Sequence, residues 1–143
     1  MKVIYYSFCG CYSSPICAYL HLKGNADIGE EEFFKIPFFL EVDYGDIRYM
    51  GKDDYENEVY VMGVKSFGEN IKRTLKDLMR VFDIDEDVIF IDTSHYDIKF
   101  LILLMKLRNK KIFKKAVEKI LYRYYIKKKR DMKRFVEKYK RIL

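Results

Sequence analysis

Positions 2 to 7 read KVIYYS, a run of β-branched and aromatic residues too short for a helix, and this predicts a buried strand. Past a short loop containing Gly10, Ser13 or Ser14 can cap a helix with Pro15 at its first position, where the missing N–H costs nothing. That helix should run to about Lys23 and stop at Gly24 and Asn25. Glu30 to Phe39 fits a short helix broken before Pro37. From Gly45 to Val64 the pattern alternates, with Ile47 and Tyr49 and later Val59 and Val61 on one side of their strands, around the polar turn Lys52 to Asn57, which reads as a β-hairpin. Helical spacing returns over Phe67 to Phe82 through Ile71, Leu75, Leu78 and Met79, and Val88 to Ile91 forms another apolar strand before Asp92, Thr93 and Ser94.

From Glu69 to Leu143 there is neither Gly nor Pro. Apolar residues recur at Ile112, Phe113, Ala116, Val117, Ile120, Leu121, Tyr124 and Tyr125, and again at Met132, Phe135, Val136, Tyr139 and Ile142. The spacing predicts one long amphipathic helix, or two with a break near Lys127 to Arg130. No repeat or low-complexity linker divides the chain, so residues 1–143 are expected to form a single α/β domain. The expected architecture is a three-layer sandwich with a central, mostly parallel sheet, a β-hairpin and a long basic C-terminal helix region.

Composition narrows the class. A chain of 143 residues that is 50% hydrophobic, with 13 Tyr and 11 Phe, is not a disordered one. Its longest apolar cluster, Phe100 to Met105, falls far short of the ~20 residues of a membrane helix, and the opening has no secretory-signal pattern. No membrane partner is expected, and the expected location is the cytoplasm. The three cysteines, Cys9, Cys11 and Cys17, crowd one short segment and make no disulfide framework; they read as small buried apolar residues in a reducing compartment.

The net charge of +6 conceals a division. Lys106 to Leu143 carries 17 Lys or Arg against three acids, a net of +14, and the preceding chain has 11 bases and 19 acids, a net of −8. Lys127, Lys128, Lys129, Arg130, Lys133 and Arg134 crowd about two helical turns just after Tyr122, Tyr124 and Tyr125. Such a surface attracts nucleic-acid backbones or an acidic partner; the plainer alternative is a solvated face that neutralises the acidic body, within the chain or across a homodimer.

The chemistry-bearing stretch is SFCGCYSSP, Ser7 to Pro15. A strand, a loop with Gly10 and a helix opening near Ser14 bring free amides and the positive end of a helix dipole to one point, and ligands of open α/β sheets sit at this edge. Ser7, Gly10, Cys11, Ser13 and Ser14 are the candidate anion-binding residues, with Asp92, Thr93, Asn57 and Glu58 at the pocket's edge. Asp92 suits a general base or a metal ligand, or else it and Thr93 cap the next helix, expected to begin near Asp97. A Walker A loop is excluded by the missing second Gly and Lys, although Val88 to Asp92 has the form of a Walker B strand. Cys9, Cys11, Cys17 and His21 match no common zinc spacing, and no metal is expected; His21 reads as a core histidine. The acidic run Asp83 to Asp87 lacks the Gly and final Glu of a calcium loop.

Ser7 to Ile16 resembles the phosphate loop of low-molecular-weight tyrosine phosphatases, in which Cys, five residues and Arg precede Ser-Pro. Ser7 stands at the nucleophile's place and Ser13 at the arginine's. An unassisted hydroxyl is a far weaker nucleophile than a thiolate and Ser cannot supply bidentate positive charge, so the resemblance implies a binding shape without that phosphatase chemistry.

Three segments, VIYYSFCGCYSSPICAYLHL, GDIRYMGKDDYENEVYVMG and the later IDT, together resemble a family of short proteins from spore-forming Firmicutes, domain of unknown function 3189 (DUF3189). The resemblance covers roughly the first 95 residues and implies that Ser13, Ser14, His21, Gly51, Asn57, Glu58, Val59, Tyr60, Asp92 and Thr93 occupy family-pattern positions. It brings no activity with it. Members often carry His at the places of Tyr6 and Tyr12, Cys at Ser7 and Gly at Cys9, and the Lys-rich C-terminus departs from their pattern. The expected function is binding of a phosphate-containing small molecule or nucleotide at the first loop. Nucleic-acid binding by the basic helix and a dimeric scaffold are the alternatives. Neither a reaction nor a cofactor follows from the residues.

Overall fold

A computed structural model describes all 143 residues. Four strands, β1 (Lys2–Ser7), β2 (Ile47–Lys52), β3 (Glu58–Gly63) and β4 (Val88–Asp92), form one sheet in the order β2-β3-β1-β4. β1 runs parallel to both β3 and β4, and β2 and β3 make an antiparallel hairpin with an irregularity between Tyr49 and Gly51. Because β1 is central and covered on both sides, its apolar run is unbroken: Val3 and Tyr5 enter one core cluster, Ile4 and Tyr6 the other.

Five helices surround the sheet: α1 (Ser13–Lys23), α2 (Glu30–Phe34), α3 (Gly68–Val81), α4 (Leu101–Arg108) and α5 (Lys114–Lys140). The main core lies between the sheet and α1, α2 and α5. α5 runs unbroken through Lys127 to Arg130, resolving the choice its sequence left open, because Val117, Leu121, Tyr125, Met132 and Val136 keep one face buried along its whole length. Tyrosine hydroxyls tie it to the chain on both sides of α1. Tyr125 and Tyr122 donate to the carbonyls of Ala26 (2.5 Å) and Ile28 (2.8 Å), and Tyr12 donates to the Leu121 carbonyl at 2.8 Å.

The opposite face is thinner. α3 covers the small cluster of Ile4, Tyr6, Met62 and Val64 chiefly through Ile71, and none of its own residues is fully buried. The result is a three-layer α/β sandwich with one thick and one thin helical layer. No helix is long and apolar enough to cross a membrane.

Candidate functional site at the β1–α1 loop

The parallel strands end together: Ser7 pairs with Gly63 and Tyr6 with Asp92, so the loop of residues 8–12 crosses the carboxyl edge of the sheet. Its turn depends on Gly10, whose φ is +62° and where a Cβ would stand 2.5 Å from the Gly63 amide nitrogen. The loop is held through its carbonyls. Ser7 and Phe8 accept from the amides of Val64 (3.0 Å) and Lys65 (2.9 Å), and Cys11 accepts from Leu40 at 2.7 Å. Gly10 accepts from buried Arg48 at 2.9 Å, whose guanidinium also reaches the Glu41 carbonyl and lies 4.9 Å over the Phe38 ring. The amides are left for other partners. Gly10 donates to Ser7 Oγ at 3.1 Å and Ser13 to Asp97 Oδ1 at 3.1 Å, whereas those of Cys11, Tyr12 and Ser14 make no hydrogen bond within the chain.

Ser13 and Ser14 do not cap α1 with their hydroxyls as the sequence suggested. Helix α1 begins at Ser13 with Tyr12 as its N-cap and without a side-chain cap, which moves Pro15 to the third helical position. Thr93 Oγ1 donates its one proton to the Tyr6 carbonyl at 3.0 Å, so Ser13 Oγ (3.0 Å) and Ser14 Oγ (3.1 Å) both donate to it. The three hydroxyls clamp the end of β4 to the start of α1. Any ligand of this loop would therefore meet serine amides rather than serine hydroxyls.

The carboxyl at the mouth is Asp97, which sequence reasoning passed over in favour of Asp92. Asp92 is exposed and accepts from the Ser94 amide at 2.9 Å, closing its own turn in the short 3-10 segment Ser94–Tyr96. Helix α4 starts only at Leu101, which leaves Asp97 in extended backbone where it turns back to the loop. Burial pushes the Asp97 carboxyl above the usual carboxylate range, and the hydrogen bonds from Ser13 and Ser7 pull against it. The open mouth expected from sequence is thus filled by a side chain of the protein itself. Beside it lies an open cleft of about 400 Å³ lined by Phe8, Cys9, Asp97, Ile98 and Leu101, with Lys99 at its edge.

Two of the proposed edge residues lie elsewhere. Glu58 pairs with Lys2 at the opposite end of the strands, about 16 Å from Ser7 at the ordinary strand rise. Asn57 is used inside the hairpin turn, donating from its amide and its side chain to Asp53. There His21 is a core histidine, fully buried between Tyr5 and Asp53. Its Nε2 lies 2.9 Å from Asp53 Oδ2 and its Nδ1 2.9 Å from the Tyr5 hydroxyl. A carboxylate only accepts, so Nε2 carries the proton and Nδ1 accepts from Tyr5. Burial lowers the His21 pKa, opposed by the Asp53 hydrogen bond.

Cys9 and Cys11 are joined in a disulfide, a departure from the buried thiols expected, and Cys17 is free and buried. Spanning a single intervening residue, the bond restrains little of the unfolded chain: about 1.6 kcal/mol in the chain-entropy picture, against about 3 for a 15-residue loop. On α5, Lys129 pairs with Asp27 and Lys133 with Glu137, whereas Lys127, Lys128, Arg130 and Arg134 are exposed and make no ion pair.

Fold and loop together define an α/β domain with a parallel sheet core and a strand–loop–helix opening at its carboxyl edge. The family described as "Protein of unknown function (DUF3189)" has a model that matches residues 2–141, and the chain belongs to that family. The match runs through α5, so the C-terminal helix belongs to the family's span rather than lying outside its first 95 residues. No curated protein and no solved structure matches the chain.

Proposed function

We propose that the β1–α1 loop is an oxyanion site for a phosphate-bearing small molecule and that Asp97 is the internal occupant such a ligand displaces. The observation that carries this reading is the Ser13 amide holding the Asp97 carboxyl at 3.1 Å beside amides with no partner in the chain. A loop whose Ser7, Phe8, Gly10 and Cys11 carbonyls are taken up by Val64, Lys65, Arg48 and Leu40, at the positive end of an 11-residue helix, leaves amide donors for which the Asp97 carboxyl is the competing acceptor. Lys99 adds a cation at the cleft's edge. Ser7 Oγ, accepting from Gly10, lies at the base of the same loop, and the reading stops at binding.

Calorimetric titration with inorganic phosphate tests it. Asp97→Asn should bind roughly tenfold or more tightly than the wild type, equivalent to about 1.4 kcal/mol, because it removes the competing negative charge. Equal affinity, or no binding to either protein at millimolar phosphate, would contradict it.

A second reading rests on the four unpaired cations of α5, Lys127, Lys128, Arg130 and Arg134, which suit a polyanion surface such as RNA or DNA. Exchange of all four for Gln should abolish retention on nucleic acid at low salt. Unchanged retention would remove this reading.

A further inference from the structure

The Cys9–Cys11 bond does little as a staple, since it bridges only Gly10 and joins no two elements of the fold. The loop around it is held independently by Arg48 and by the amides of Leu40, Val64 and Lys65. Breaking the bond therefore leaves two sulfurs held close together and ready to re-form it.

The two cysteines differ in their surroundings. Cys9, itself buried at 2% exposure, lines the open cleft beside Asp97. Cys11 is fully buried, its sulfur 3.9 Å from the Met105 sulfur on α4. The free amides of Cys11, Tyr12 and Ser14, at the start of α1, favour negative charge on a thiolate formed in this loop. Cys17, the third thiol, is buried and its pKa is pushed far up by burial, so it stays inert.

From this arrangement we propose that Cys9 and Cys11 form a thiol–disulfide exchange pair acting on low-molecular-weight thiols and disulfides that enter the Asp97 cleft, Cys9 being the exchanging sulfur and Cys11 the resolving one. In the oxidising direction the Cys9 thiolate attacks one sulfur of a disulfide RSSR, forming a mixed Cys9–S–S–R bond and releasing RS⁻, which takes up a proton. The Cys11 thiolate then attacks the Cys9 sulfur, re-forming the Cys9–Cys11 bond and releasing the second thiol. Two electrons pass from the protein dithiol to RSSR, which leaves as two RSH; excess thiol drives the reverse. Exchange requires only cleft access and the sulfur pair, so it stands or falls separately from anion binding.

The test uses the full chain and glutathione as probe. Intact-mass measurement should show wild-type protein passing between disulfide and dithiol in mixed reduced and oxidised glutathione, with an unchanged circular dichroism spectrum. The reduced Cys11→Ser protein should take up one glutathione from the oxidised form, at Cys9, at least tenfold faster than Cys9→Ser takes it up at Cys11. Peptide mapping of wild type quenched during partial reduction should place the mixed disulfide on Cys9, which keeps the test independent of whether either variant folds. A bond that resists millimolar reduced glutathione in the native protein, or a mixed disulfide found on Cys11 or shared equally, would overturn the proposal.

Discussion

Asp97 Oδ1 lies 3.1 Å from the amide nitrogen of Ser13, so a carboxyl carried on the chain after β4 occupies a donor at the start of α1. Two segments 84 residues apart in sequence meet there, at the carboxyl edge of the sheet. The contact makes the loop's preference for negative charge visible within the chain and closes the same donor to outside anions.

The pH dependence of binding should expose this competition. Because burial raises the Asp97 pKa above 3.8, its neutral form persists to higher pH than in an exposed carboxyl, and a neutral Asp97 competes less. Sulfate affinity of the wild type should rise as pH falls into the acid range toward 3.8, whereas Asp97→Asn should show a flatter profile. Folding carries the same sign. The folded state holds this proton more tightly than the unfolded one, so the contribution is present at acid pH and lost as pH rises through the folded pKa. Thermal unfolding should find Asp97→Asn more stable than wild type at neutral pH, with the gap shrinking toward pH 4.

The His21–Asp53 contact governs acid stability in the opposite sense. With its pKa lowered by burial, His21 is less readily protonated folded than unfolded, so stability is present above pH 6.5 and declines as pH falls below it. For Asp53, burial pushes the pKa up but hydrogen bonds from His21, Asn57 and Tyr55 outweigh it and bring the value to about 2. Its contribution, about 2 kcal/mol, is lost as pH falls from 3.8 toward 2. Asp53→Ala also strands the donors of His21, Tyr55 and Asn57, and urea unfolding at pH 7 should register a loss of about 3 kcal/mol or more.

Gly10→Ala should cost roughly 2 kcal/mol or more, since alanine is strained at a φ of +62° and its Cβ would meet the Gly63 backbone. Comparison of denaturant midpoints measures it. Gly24→Ala is the control, because that glycine is also left-handed at +70° but has nothing within 4 Å of the added Cβ, and its smaller loss isolates the contribution of the close approach.

Helix α5 belongs to the core. Leu121→Ala should lose about 2–5 kcal/mol, and a chain ending at Lys110 should show no cooperative unfolding transition by circular dichroism. A truncated chain that still melts cooperatively would show that the body stands without this helix. For the same reason the basic face is better probed by substitution than by truncation.

Much of the architecture was legible in local patterns. The apolar run of β1 and the Val59, Val61 alternation of β3 recorded faces buried on nearby elements, the period of α3 recorded the face it lays on the sheet through Ile71, and Gly24 marked the end of α1 through its left-handed cap; on β2 the pattern misled, since Ile47 and Tyr49 are exposed and Arg48 between them is buried. The site was legible only at its first half. Ser7 to Ser14 advertised a strand–loop–helix, but Asp97 carries no local signal: it follows a 3-10 turn, and only the pairing of β4 with β1 brings it to α1. Asn57 and Glu58 misled because the hairpin motif is specific for a different reason: Asn57 and Asp53 satisfy the turn and His21. Arg48, at an exposed-looking position of an alternating strand, gave no hint that it folds under the loop to hold Gly10.

The most direct measurement is a phosphate titration of Asp97→Asn followed by amide ¹H–¹⁵N shifts. Resonances of Cys11, Tyr12, Ser13 and Ser14 should move together and saturate with one dissociation constant, while those of the hairpin turn Asp53 to Asn57 stay still. Unmoved loop amides, or shifts confined to the basic face of α5, would contradict the loop as the anion site.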